Sequence, residues 1–351
     1  MEVKKHDWLR VLIMTMVAFG LSLLAIYDIS SLPLFSGGTF ADVKISDLYN
    51  AVGGRNRVAH KANHTTIVSI DGCSRAQIAQ ALEMISFMEP LALGLDVFFL
   101  REDDEGAAIE EALKGFQTVV LPIDLHHPGS LSFFHDRIPG AKEGFVNILS
   151  SNATGLVREF QCISGEAPSF AYALAGEPDL QAVSSSLIRF DGTIIPVISA
   201  QDLSLADEED IRGRIVLLGA TEDPSDMHRT PLGPQTSGVL IHAIAAEMIT
   251  SGAFIHNVPT WFEYILAIIL SVLFLWAILI AKRAKDDMGT LLMRLVLLVL
   301  IFGLFILGCR FYITYGLCLD ISFTITILAM GLLVFDIAAG INHIRPNWNI
   351  I

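Results

Sequence analysis

Little of this chain carries charge. Of 351 residues only 17% are Asp, Glu, Lys or Arg, which excludes intrinsic disorder and a charged coiled-coil rod. Bases are the scarcer sign. The 23 Lys and Arg against 37 Asp and Glu leave a formal charge of −14, which argues against nucleic acid as the main partner. Four cysteines are too few for a disulfide-built scaffold. No G-x-S-x-G, Walker A, Gly-x-Gly-x-x-Gly or HExxH signature occurs. The expectation is therefore a protein that is no enzyme and needs neither cofactor nor metal.

What the chain does have is apolar residues, 53% of the total, with a mean hydropathy of +0.56. They gather in runs. Residues 8–27, 261–280, 291–313 and 317–339 are each about the ~20 residues that cross ~30 Å of hydrocarbon. Backbone groups in lipid must be satisfied within their own segment, so four transmembrane helices are predicted, one N-terminal and three C-terminal. The first could be read as a signal peptide. Its apolar core, however, runs to Ile26, and Tyr27-Asp28 offers no small-x-small cleavage site, so an uncleaved anchor is expected.

Orientation follows from the bases. Lys4, Lys5 and Arg10 precede or open the first span; Lys282, Arg283, Lys285 and Arg294 cluster between the second and third; Arg345 follows the fourth. The positive-inside rule puts residues 1–7, the loop 281–290 and the tail 340–351 in the cytoplasm. Residues 28–258 are then extracytoplasmic, in a segment with a strong acidic excess. Tyr27, Trp261, Tyr264, Tyr312 and Tyr315 are expected at the outer interface.

The outer segment reads as an α/β domain with a mainly parallel sheet. Thr65 to Ile70 is a β-branched strand ending at Asp71, and Ser74 with Gln77 forms a capping box for a helix through Met88. Leu91 to Leu95 and Thr118 to Ile123 are further strands, separated by a helix with an acidic opening at Glu102 to Glu105. Such a β-α-β-α-β run requires right-handed crossovers. Ile215 to Leu218 has the continuous apolar look of a central strand, and Val239 to Ile249 reads as a helix. Residues 144–200 look like short strands and turns, with a hairpin signal at Asp191-Gly192 and a helix from Ser169.

Asp71, Asp96 and Asp124 each end a predicted strand, and Glu222, Asp226 and His228 follow the Ile215 strand. Ligands of open α/β sheets sit outside the carboxyl ends of the strands. If those strands are neighbours, the six residues share a crevice suited to a cation, an amine or a hydroxyl-rich ligand. The other reading is that each acid caps its own turn. His242, preceding an apolar helix, reads as a structural histidine. Asp71→Asn, Asp96→Asn and Glu222→Gln are expected to leave folding largely intact. Cys73 and Cys162 could pair or stay as free thiols. Inside the spans, Arg294 and Asp336 lie at similar depth and are expected to face each other if the third and fourth helices pack antiparallel; the other reading is that Arg294 snorkels alone.

Several segments together carry a resemblance: His64-Thr-Thr-Ile-Val-Ser-Ile-Asp71, Ala92-Leu-Gly-Leu-Asp-Val-Phe-Phe99, Gly144-Phe-Val-Asn147, Gly155-Leu-Val-Arg158, Pro168-Ser-Phe-Ala171, Gly213 to Thr221, Thr230-Pro231 and Gly238 to Ala243. In this order the chain resembles the CHASE2 sensory-domain family. The resemblance implies a bacterial extracytoplasmic sensor, anchored in the inner membrane and feeding a kinase or cyclase-type output. It differs in lacking an aromatic-Pro-rich segment after the first strand, and only about a dozen residues follow the last span. The expectation is a sensory or accessory subunit, able to form an oligomer, that signals through a separate membrane or cytoplasmic output protein after binding an unknown extracytoplasmic small-molecule or protein ligand. The alternative is a structural, docking subunit of a larger inner-membrane complex.

Overall fold

The computed structural model describes residues 7–27, 44–56, 61–99, 106–127, 134–150, 155–178, 185–190, 193–283 and 287–344. The Asp191-Gly192 turn, the acidic run 102–105 and the basic residues Lys4, Lys5, Lys285 and Arg345 lie outside them. The chain divides into two compact units. Residues 50–255 form one, and the segments on either side form the other.

The first unit is built on a six-stranded sheet. Its strands are β1 (Thr65–Ser69), β2 (Ala92–Asp96), β3 (Val119–Ile123), β4 (Lys142–Phe145), β5 (Val197–Ser199) and β6 (Ile215–Gly219). Their spatial order is β4-β3-β2-β6-β1-β5, and every pairing is parallel. The last strand in sequence thus slots between the first two. Both of its neighbours pair with it in register, Thr65 with Ile215 on one side and Ala92 with Ile215 on the other. All five β6 residues are buried, which is why this run shows no polar alternation.

Helices cover both faces. On one lie α3 (Arg75–Phe87) and α4 (Gly106–Leu113), packed through Leu82, Ile85 and Ile109 onto Val68, Leu93 and Leu218. The predicted capping box opens α3: Gln77 N donates to Ser74 Oγ at 3.3 Å, and Ser74 N donates to Gln77 Oε1 at 2.8 Å. On the other face lie α5 (Phe170–Leu174) and α6 (Gly238–Ser251), packed onto Ile67, Val120 and Leu217. Moving from β1 to β2 to β3 uses helices of one face, whereas α6, which follows β6, lies on the other. The direction of winding therefore reverses at β1 and β6. Cys73 packs with the first face and Cys162 with the second, so the sheet separates them and both are free thiols. A Cys73–Cys162 disulfide is not formed.

The second unit holds α1 (Asp7–Tyr27), α7 (Thr260–Arg283), α8 (Asp287–Tyr315) and α9 (Ser322–Ile344), four helices long and apolar enough to cross a membrane. Helices α1 and α7 pack on α9 and on each other through Val11, Met14, Leu275, Ile278, Leu328 and Phe335. Helix α8 packs chiefly on α7 rather than forming an antiparallel pair with α9. Arg294 Nη2 nevertheless donates to Asp336 Oδ1 at 2.7 Å, the long side chain crossing from α8 to α9.

Two further details differ from expectation. The fourth span starts at Ser322, not Leu317, because Leu317–Cys318 pairs as a short strand with His256–Asn257 and Asp320 Oδ1 accepts from Ser322 N at 2.9 Å. Tyr312 is 1% exposed and packs against Tyr49 of the unpredicted helix α2 (Ile45–Asn56), with ring centroids 5.5 Å apart. Its ring is thus packed within the unit, whereas Trp261 and Tyr315 are 64% and 65% exposed. Tyr49 Oη donates to Leu319 O at 3.0 Å past Gly308, where a Cβ would fall 2.1 Å from that hydroxyl.

Gly144 admits the start of α5 against β4, since a Cβ there would stand 2.5 Å from Phe170 Cα. Gly144→Ala is expected to destabilise the α/β unit by about 1–3 kcal/mol, read as a lowered thermal midpoint; an unchanged midpoint would show that α5 can shift freely. For the charge pair, a double-mutant cycle of Arg294→Leu and Asp336→Leu on detergent stability should give a favourable coupling of about 0.5 kcal/mol. Coupling near zero would mean that the two charges are held independently.

Candidate functional site

The helices that follow β1 and β6 lie on opposite faces of the sheet, and acids gather at the carboxyl ends of these strands. The six expected residues separate there into three groups.

Asp71 is a tie between strands. Its Oδ2 accepts from Thr221 N at 2.9 Å, from Thr221 Oγ1 at 2.6 Å and from Ser69 Oγ at 2.6 Å, while Oδ1 accepts from Glu222 N at 3.3 Å. Burial pushes its carboxyl up, but these hydrogen bonds outweigh burial and hold it below the ordinary carboxylate range. The side chain of Glu222 is exposed, and its amide is what this tie uses. In Asp71→Asn the amide oxygen can take the place of Oδ2 and keep its three bonds, while the NH₂ then faces Glu222 N and loses the longest of the four. Next along, Asp223 Oδ1 accepts from Ser225 N at 2.9 Å and caps the turn Pro224–Asp226.

Asp96, Asp226 and His228 form the second group. Asp226 belongs to the turn that leads into the hairpin β7 (Met227–Thr230) and β8 (Gly233–Ser237). Its Oδ1 meets His228 Nε2 at 3.2 Å, and its Oδ2 accepts from Gly238 N at 3.0 Å. Gly238 is the first residue of α6, where an anion is favoured. A Cβ on it would lie 2.5 Å from Asp226 Oδ2, so only glycine lets the carboxylate approach this closely. Asp96 ends β2 beside this group. Burial and the Asp226 carboxylate raise it to about 7, with His228 acting in the opposite sense. Asp96 therefore keeps its proton well above the ordinary carboxylate range, beside the Asp226 carboxylate.

His242 adjoins this group and is the residue that sequence reasoning set aside. One turn into α6, it is buried, stands edge-on to Phe170 with ring centroids 5.5 Å apart, and hydrogen-bonds the Val146 backbone. Burial drives it down to about 4, against the pull of Asp226. Its position four residues after Gly238 was the available signal.

The third group is Asp124, on the β3–β4 side. Its Oδ1 accepts from His126 N and Asn147 Nδ2, both at 2.8 Å, and its Oδ2 meets His127 Nδ1 at 2.9 Å. The Asn147 and His127 contacts hold it far below the usual carboxylate range. It caps a turn. Among the described residues no three His, Cys, Asp or Glu side chains are grouped to hold a metal ion.

The two shifts oppose each other in pH. Asp96 is raised from about 3.8 to about 7, so folding stability from this group is greatest below about 4 and is lost as pH rises toward 7. His242 is lowered from 6.5 to about 4, so its contribution is complete above 6.5 and is lost as pH falls through 4. Asp96→Asn removes only the first. Its thermal midpoint should gain on that of the parent chain from pH 4 to 7 and then run parallel. A constant offset across the whole series would place Asp96 outside the titrating group.

Comparison with known proteins gives a match to one family model, that of the CHASE2 domain, over residues 59–281. No curated protein and no solved structure matches. The matched residues run from the strand before Asp71, through the crevice and α6, into the first C-terminal span. The chain belongs to the CHASE2 family of extracytoplasmic sensory domains.

Proposed function

We propose that the chain is a membrane-anchored sensory or accessory subunit that binds rather than transforms its ligand. In this reading the α/β unit lies on the periplasmic side of a bacterial inner membrane, with both ends of the chain in the cytoplasm. A small cationic, amine or hydroxyl-rich ligand enters at Asp96, Asp226 and His228, and the signal passes to a separate output protein.

One observation carries this beyond family membership. The carboxylate of Asp226 meets His228 beside Asp96 and also accepts from the first amide of α6, and α6 continues through residues 252–259 into α7. A ligand that recruits Asp226 must alter that contact, so binding and the position of α6 are linked through one side chain. Charge distribution supports the orientation, because Lys282 and Arg294 lie at the opposite end of the spans from Trp261 and Tyr315.

Affinity capture of the full chain from its own membranes after crosslinking, with mass spectrometry, tests the reading. A kinase, cyclase or similar output protein should be enriched, and its recovery should change severalfold in Asp226→Asn. Recovery of only structural or transport components, unaltered by Asp226→Asn, would favour a docking subunit and reject the sensor.

A further inference from the structure

Three of the four membrane helices share a core, and the other stands largely outside it. Only 11% of the apolar stretch of α8 is buried within the unit, against 28% to 33% for α1, α7 and α9. It packs on α7, and its link to α9 is the Arg294–Asp336 bond rather than a packed seam. That bond is uncovered, with the two side chains 50% and 38% exposed. Leu291 and Leu298, one turn to either side of Arg294, and Leu333, one turn before Asp336, are exposed as well.

Lipid is a poor cover for this pair. Arg294 stands about 10 Å inside the start of α8 and Asp336 about 12 Å inside the end of α9, at ~1.5 Å per residue. With 23 residues α9 only just spans ~30 Å of hydrocarbon, so Asp336 lies within it. Charged side chains at that depth turn inward or find partners, because hydrocarbon offers them no hydrogen bonds. The bond uses one of the five Arg294 N–H groups and one carboxylate oxygen, which leaves both members able to hold a further partner.

Charge selects the occupant. An anionic headgroup or a lone cation would be attracted by one member of the pair and repelled by the other. A second pair of the same kind, turned end for end, satisfies both. Copies of one chain insert in the same sense, so the two-fold axis relating two of them runs along the membrane normal. Turning about that axis keeps depth and reverses direction in the membrane plane, and the pair runs across that plane from α8 to α9. We propose that α8 and α9 form a two-fold interface with a second copy of this chain, in which Arg294 of each copy meets the partner's Asp336. The proposal does not rest on what the crevice binds.

Energy transfer between donor- and acceptor-tagged full chains in vesicles of phosphatidylethanolamine and phosphatidylglycerol, diluted stepwise in lipid, tests this. The parent chains should associate saturably, and untagged chain should compete. Arg294→Asp and Asp336→Arg each place like charges together within and between copies, and each should weaken self-association about tenfold or more. Mixed with each other, the two variants meet opposite charges only across the interface, and association should recover. The chain that carries both changes regains both pairings and should associate as the parent does. No saturable association of the parent, as when lipid or another protein covers the pair, would overturn the proposal. So would undiminished association of the single variants, or a mixture that associates no better than its components.

Discussion

Insertion of β6 between β1 and β2 is the constraint from which the α/β unit follows. A strand paired on both edges and covered on both faces can present nothing but apolar side chains, and Ile215 to Leu218 do so. Burying such side chains stabilises by roughly 1.5–3 kcal/mol each, so the three central strands form the strongest part of the fold. The insertion also decides which acids meet. Thr221 and Glu222, just past β6, arrive over Asp71 at the end of β1, and Gly219 arrives beside Asp96 at the end of β2.

The carboxyl edge thus carries two kinds of acid with opposite physics. Asp71 and Asp124 accept several short hydrogen bonds each and are fixed as anions by them. Asp96 has a neighbouring carboxylate where the others have donors, and is left close to the point of gaining a proton. Donor supply separates the structural acids from the adaptable one, since all three occupy equivalent places at strand ends.

The sequence made much of this legible, and the illegible parts have common causes. Strands β1, β2 and β6 were readable because double burial writes an unbroken apolar run. The edge strands were not: β4 reads Lys-Glu-Gly-Phe and β5 Val-Ile-Ser, too short and mixed to signal, and they are strands because β3 and β1 give them partners. Acids at strand ends were visible one by one, but their grouping needed the strand order, which no local pattern encodes. Both Cys73 and Cys162 were visible too, whereas the sheet between them was not. In the membrane helices, hydropathy located every span. It could not show that Leu317–Cys318 would be drawn off into a pairing with His256–Asn257, because that is a tertiary event.

The place of β6 has a consequence in time. Its partners on β1 stand 150 residues earlier, and a chain made from its amino end exposes β1 and β2 long before the strand that joins them exists. Until then each keeps an unpaired inner edge, the feature that invites pairing with another chain. Helix α3 can already cover one face, but the gap in the sheet persists, and long-range parallel pairing is intrinsically slow. Safe arrival at the native state is therefore a matter of shielding two open edges during synthesis, and the burden ends when residues 215–219 emerge and close the sheet from within.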